Sequence, residues 1–180
     1  MGDTFGKFTS LIKYDYNKLF AWFYELEKLN YQSNYLPALS AYYFSQTPNK
    51  QDKLYTVYFL KQHALKNIEK KWWWLYQASY IANYGIGDKK LAIELATILK
   101  NLNLKNIPFW VKQTLNIFLS QWNDSCEAVR IISEIMNEIE NNLSNKDKET
   151  ELNYMKFFLN KELKKIEKYD NFDIKKCFNK

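Results

Sequence analysis

The chain has 180 residues, 47% of them hydrophobic and 18% aromatic, and carries a net charge of +6. That much apolar matter excludes a disordered chain, and 4 Gly with 3 Pro are too few for the frequent turns of an all-β fold. The positive charge admits nucleic acid or anionic lipid, but Arg130 is the only Arg among 26 basic residues, and bidentate readers of bases and phosphates favour Arg.

The joint abundance of Lys, Asn, Ile, Tyr and Phe reads as the codon use of an AT-rich genome. At the start, MGDTFGKFTSLIKYDYNKL lacks a basic segment followed by an apolar one, so no signal peptide is expected. Gly6 stands where a myristoylation signal needs Ser or Thr, and no run of apolar residues is long enough for a membrane span. As given, the chain is expected to be cytoplasmic.

Residues 14–29 (YDYNKLFAWFYELEKL) form the first predicted helix, possessing an apolar face of Leu19, Trp22, Phe23 and Leu26 at helical spacing. Three blocks follow that align with one another. In their first halves Ala41 falls on Ala78 and Leu115, and Phe44 on Ile81 and Phe118, at steps of 37. In their second halves Ala92 falls on Ala128, Ala96 on Ile132 and Leu99 on Ile135 at a step of 36, while Leu54 and Tyr58 precede Leu91 and Leu95 by 37. Each block reads as two helices joined by a short polar turn, giving helix pairs at about 34–66, 71–102 and 107–142.

The turns have chemical reasons. Gly85 and Gly87 can take positive φ, and Asp88 can cap the next helix. Asn123, Asp124 and Ser125 are cap candidates in a row; Pro48 sits near a helix start; Pro37 and Pro108 lie just inside the first helices of their blocks. A last helix over 146–169 carries Leu152, Met155, Leu159, Leu163 and Ile166 on one face and many Lys and Glu elsewhere, the polar-backed end that a stacked repeat needs. Its lysines (Lys161, Lys164, Lys165, Lys168) and those of the tail read as a solvated face with weak attraction to an anionic membrane. Residues 170–180 read as a flexible tail, so the expectation is one domain over 1–169.

The spacing of Trp74, Ala78 and Ile81 in one helix, Ala92 and Ala96 in the next, and Pro108 opening the following unit resembles the tetratricopeptide repeat. Small Ala at the crossing lets paired helices approach closely, and bulky residues fill the space between them. The family's Leu-Gly pair is Gln77-Ala78 here. More narrowly, GDTFGKF, LPALSAYYFSQT, KKWWWLYQASYIANY and IPFW, within residues 2–136, look like an uncharacterised alphaproteobacterial group of repeat proteins. The resemblance implies an all-α, right-handed superhelix of antiparallel helix pairs, a non-catalytic binding role, and a membrane anchor ahead of this region.

In such repeats the first helix of each pair lines a concave groove. The resemblance places Tyr35, Tyr42 and Gln46, then Trp72, Ser79 and Asn83, then Phe109, Lys112 and Asn116 there. This ladder of aromatic and amide side chains suits a protein or peptide partner better than a phosphate backbone, which calls for several cations. Of three adjacent indoles, Trp74 is assigned to the core, Trp73 to packing on the preceding unit, with Gln77, Tyr80 and Tyr84, and Trp72 to the groove. An RNA-binding helical repeat is the alternative.

Catalysis is not expected: no nucleophile elbow, P-loop or zinc-protease motif occurs. His63, the single histidine, reads as a boundary residue bonded to a neighbouring unit. Cys126 and Cys177 read as one buried apolar residue and one tail thiol, with no disulfide, metal or cofactor expected. The sequence does not indicate an oligomeric state.

Overall fold

The structure, a computed structural model, describes residues 10–102, 107–122, 125–142, 145–167 and 177. All regular structure among them is helical. After a 3-10 turn at Leu11–Lys13 come α1 (Tyr16–Leu29), α2 (Tyr35–Tyr42), a second 3-10 turn (Phe44–Gln46), α3 (Lys50–Leu65) and α4 (Ile68–Tyr80). A π-helical stretch, Ile81–Ile86, extends α4, and then follow α5 (Lys89–Lys100), α6 (Phe109–Lys112), α7 (Thr114–Gln121), α8 (Ser125–Asn142) and α9 (Asn145–Glu167). The chain divides into two compact units, Met1–Leu95 and Ala96–Lys180.

The helix ends follow local chemistry. Asp15 caps α1 by accepting from the Lys18 backbone N–H at 3.1 Å, and Asn49 caps α3 through Gln51 at 3.0 Å. Gly87 takes the left-handed conformation (φ 78°) and its N–H closes onto the Ala82 carbonyl at 3.0 Å. Asp88 then accepts from the Leu91 N–H at 3.0 Å, as its position suggested. The Asn123 and Asp124 cap candidates lie outside the described residues.

In the first unit α3 is the central helix, packed against α1, α2, α4 and the π stretch. The core is a cluster of rings: Phe59 meets Phe20 at 5.7 Å, Phe23 at 5.5 Å and Tyr24 at 5.3 Å, while Phe23 meets Phe44 at 5.6 Å. Tyr16 joins it and donates its hydroxyl to the Phe44 carbonyl at 2.9 Å. Thus α1 buries Tyr16, Phe20, Phe23 and Glu27, whereas Trp22 and Leu26, expected on the apolar face, are exposed. The reason is tertiary: the flat rings of Tyr16, Phe20 and Phe23 interlock with α3 and the second 3-10 turn.

In the second unit α7 packs on α8 and α8 on α9, around Leu115, Phe118, Leu119, Ile132, Ile135 and Met155. Cys126 and Cys177 are not thiols but a disulfide (S–S 2.03 Å), correcting the expectation for both. The antiparallel hairpin of α8 and α9 returns the chain to the start of α8, where Val129, Ile166 and Cys177 share a buried cluster. Tail residues 168–176 and 178–180 lie outside the described residues, while Cys177 itself is buried.

Most of the positions aligned in the sequence are buried. Ala41, Ala78 and Leu115 are buried, as are Phe44, Ile81 and Phe118, and so are the pairs Ala92/Ala128, Ala96/Ile132 and Leu99/Ile135. The Leu54 and Tyr58 match does not hold. α3 turns Thr56, Val57, Phe59, Leu60, His63 and Ala64 inward, leaving Leu54 half-buried and Tyr58 exposed.

Candidate functional site

The three tryptophans of α4 divide by depth. Trp74 is buried, its indole N–H donating to Asn34 Oδ1 at 2.9 Å, with the Tyr42 ring edge-on at 6.2 Å. Trp73 is 36% exposed and donates to the Tyr42 hydroxyl at 3.0 Å. Trp72 is half-buried, T-shaped against Trp73 at 5.9 Å.

From Trp73 a chain of rings runs along α4 and onto the π stretch. Trp73 meets Tyr76 at 5.4 Å, Tyr76 meets Tyr80 at 6.5 Å, and Tyr80 meets Tyr84 at 4.5 Å. These residues are spaced three, four and four apart, the rhythm of one helix face, and Tyr80 and Tyr84 are 47% and 48% exposed. Burial, and after it the nearby Tyr80 and Tyr84 phenols, push the Tyr76 hydroxyl above its ordinary pKa. Tyr35 and Tyr42, also in this unit, are exposed.

The far end of the ladder is basic. Lys53 Nζ donates to the Gly85 carbonyl at 3.2 Å, the Lys50 ammonium lies beside Gly87, and Lys89 and Lys90 open α5.

The residues expected in a groove separate on burial. Tyr35, Tyr42 and Gln46 are exposed and Trp72 is partly so. Ser79 and Asn83 are buried, and the Ser79 hydroxyl donates back to the Tyr76 carbonyl at 2.7 Å, so neither presents a surface amide or hydroxyl. In the second unit Asn116 is buried and donates to Gln113 Oε1 at 2.7 Å, and Lys112 is paired with Glu138 at 2.9 Å. The side chain of Phe109 lies outside what the structure describes. The stripe that reaches the surface is therefore Trp73, Tyr80 and Tyr84, with half-buried Tyr76 among them, one position round the helix from Trp72, Ser79 and Asn83. Its i, i+3, i+7, i+11 spacing was present in the sequence, but which stripe α3 covers was not.

Two buried charge clusters serve structure. His63 Nδ1 bonds Glu27 Oε1, and Lys66 holds Glu27 Oε2 at 2.5 Å, so the histidine pins α3 to α1. Lys71 donates to the Tyr31 carbonyl and lies 5.1 Å over the Tyr31 ring. Burial lowers the His63 pKa despite Glu27, and His63 Nε2 has no hydrogen-bond partner among the described residues, which assigns a neutral ring with its proton on Nδ1. In the second unit Glu162, expected on a solvated face, is buried and accepts from Ser120 at 2.6 Å, Ser125 at 3.1 Å and Lys165 at 2.8 Å. Burial opposes its charge, but these donors together hold its carboxyl below the ordinary value.

Among the described residues no helix is long and apolar enough to cross a membrane, and no group of acidic, His or Cys side chains is arranged to hold a metal. Comparison with protein-family models, curated proteins and solved structures finds no match to this chain.

Proposed function

We propose that this protein is a non-catalytic protein-interaction module that captures an amphipathic helix of a partner on the aromatic ladder of α4. The observation carrying the proposal is the run of ring contacts Trp73–Tyr76–Tyr80–Tyr84, in which Trp73, Tyr80 and Tyr84 reach the surface and Tyr76 is half-buried between them. Rigid aromatics supply contact area at low entropy cost and dominate binding hot spots. Because the rings step along their helix by three and four residues, a partner helix with apolar residues at i, i+3 or i+4, and i+7 meets them in phase. Exposed Lys50 and Lys90 at the end of the ladder favour acidic residues flanking that stripe. Cys126 is held in a disulfide and His63 is sealed against Glu27, so neither side chain argues for chemistry. The tetratricopeptide-like repeat, and the superhelix it implies, belongs to the same proposal, supported by burial of the small and bulky residues at the repeated steps.

The test titrates synthetic amphipathic helices, with acidic or basic flanks, into the protein and follows tryptophan emission. Acidic-flanked helices should bind, and Tyr80→Ala/Tyr84→Ala should weaken binding at least about tenfold with the helical circular-dichroism signal intact. Binding unchanged by that pair, or binding of no helix at all, removes the proposal. Retention of single-stranded RNA that falls steeply with salt would favour the RNA-binding alternative instead.

A further inference from the structure

Away from the ladder, α1 presents a second apolar surface. Its inner face is consumed by the ring cluster, yet on its outer face Trp22 is 67% exposed and Leu29 82%, with Leu26 also exposed. Beside Trp22 lies an open hollow of about 410 Å³ lined by Lys18, Ala21, Trp22, Tyr24 and Glu25. Lys18, Ala21, Trp22 and Glu25 stand at i, i+3, i+4 and i+7. Four helix positions in that arrangement form the hole that receives a side chain from a facing helix.

The hole is complementary to itself. Turned by a two-fold axis passing between Ala21 and Trp22, an antiparallel copy of α1 sets its Trp22 over the small Ala21, and Ala21 under the other Trp22. The same rotation sets Lys18 opposite Glu25 of the second copy, and Glu25 opposite its Lys18. The present partners of these charges are on their own helix and solvent-exposed, Lys18 with Asp15 at 3.5 Å and Glu25 with Lys28 at 2.7 Å, so exchange costs little. A membrane surface fits this face poorly, because Asp15 and Glu25 stand exposed upon it.

We propose that α1 is a self-association helix, pairing antiparallel with α1 of a second copy of this chain through the Ala21–Trp22 contact and two reciprocal Lys18–Glu25 pairs. An isologous contact needs each patch to complement itself under a two-fold rotation, and the sign reversal across the midpoint of α1 meets that condition. One helix pair covers less than the roughly 800 Å² per partner of a standard interface, so the dimer is expected to be concentration-dependent.

Sedimentation equilibrium of the full chain over a micromolar concentration series tests it. The mass should rise toward twice that of the monomer, and Trp22→Ala, Lys18→Glu and Glu25→Lys should each lose the dimer. The double variant Lys18→Glu/Glu25→Lys should recover it, and mixing the two single charge variants should give a heterodimer. These side chains are exposed, and circular dichroism verifies that each variant is folded. A chain that stays monomeric throughout, a dimer that survives Trp22→Ala, or a double variant that does not recover overturns the proposal. So does a dimer lost on Tyr80→Ala/Tyr84→Ala, which would place the contact on the aromatic ladder.

Discussion

The disulfide has a consequence that can be calculated. Cys126 and Cys177 are 51 residues apart, so the bond closes a long loop in the unfolded chain. Loop-closure entropy for that length is about −14 cal/mol/K, or about 4 kcal/mol of stability at 25 °C. Reduction leaves the folded contacts of Val129, Ile166 and Cys177 almost unchanged, so the loss should appear through the unfolded state. With a urea dependence of about 2 kcal/mol/M, the midpoint should fall by roughly 2 M on adding reductant. Urea titration by circular dichroism, with and without reductant, measures the shift. Cys126→Ala/Cys177→Ala should reproduce it, with no further response to reductant. A shift below about 0.5 M would refute the entropic reasoning, and quantitative alkylation of both cysteines in the untreated native protein would refute the bond.

Two further outcomes follow from buried or constrained residues. The His63 pKa is lowered in the folded state, so below its unfolded value of about 6.5 the unfolded chain binds the extra proton. Stability should therefore fall with acidification from that point, by up to about 1.4 kcal/mol per pH unit, until the folded pKa is passed. Glu27, Lys66, Lys71, Tyr24 and Tyr31 surround the site from α1, α3, α4 and the turn after α1. Urea midpoints between pH 5 and 7 should show the slope in the native chain and lose it in His63→Gln. Gly87→Ala forces a side chain into φ 78° although the nearest atom to the new Cβ, Lys50 Nζ, is 3.9 Å away. The cost is then conformational, about 1 kcal/mol and a melting point lower by about 2–4 °C, measured calorimetrically. Gly87→Asn should cost less, since Asn tolerates that region better.

Sequence patterning carried the helical class, because apolar residues at helical spacing with few Gly and Pro leave no other way to bury them. It also carried the Gly87–Asp88 turn and the depth of Trp74, Ala78, Ala92 and Ala96, where size alone selects what fits between close-packed helices. Tertiary packing decided the rest. On α1 and α4 several stripes are apolar enough to be buried, and only the position of α3 and its rings chose Phe20 over Trp22 and left Tyr80 and Tyr84 outside. Contacts between distant residues left no local pattern either. Glu27 with His63 and Cys126 with Cys177 lie 36 and 51 residues apart, and each pair meets only because intervening helices reverse the chain.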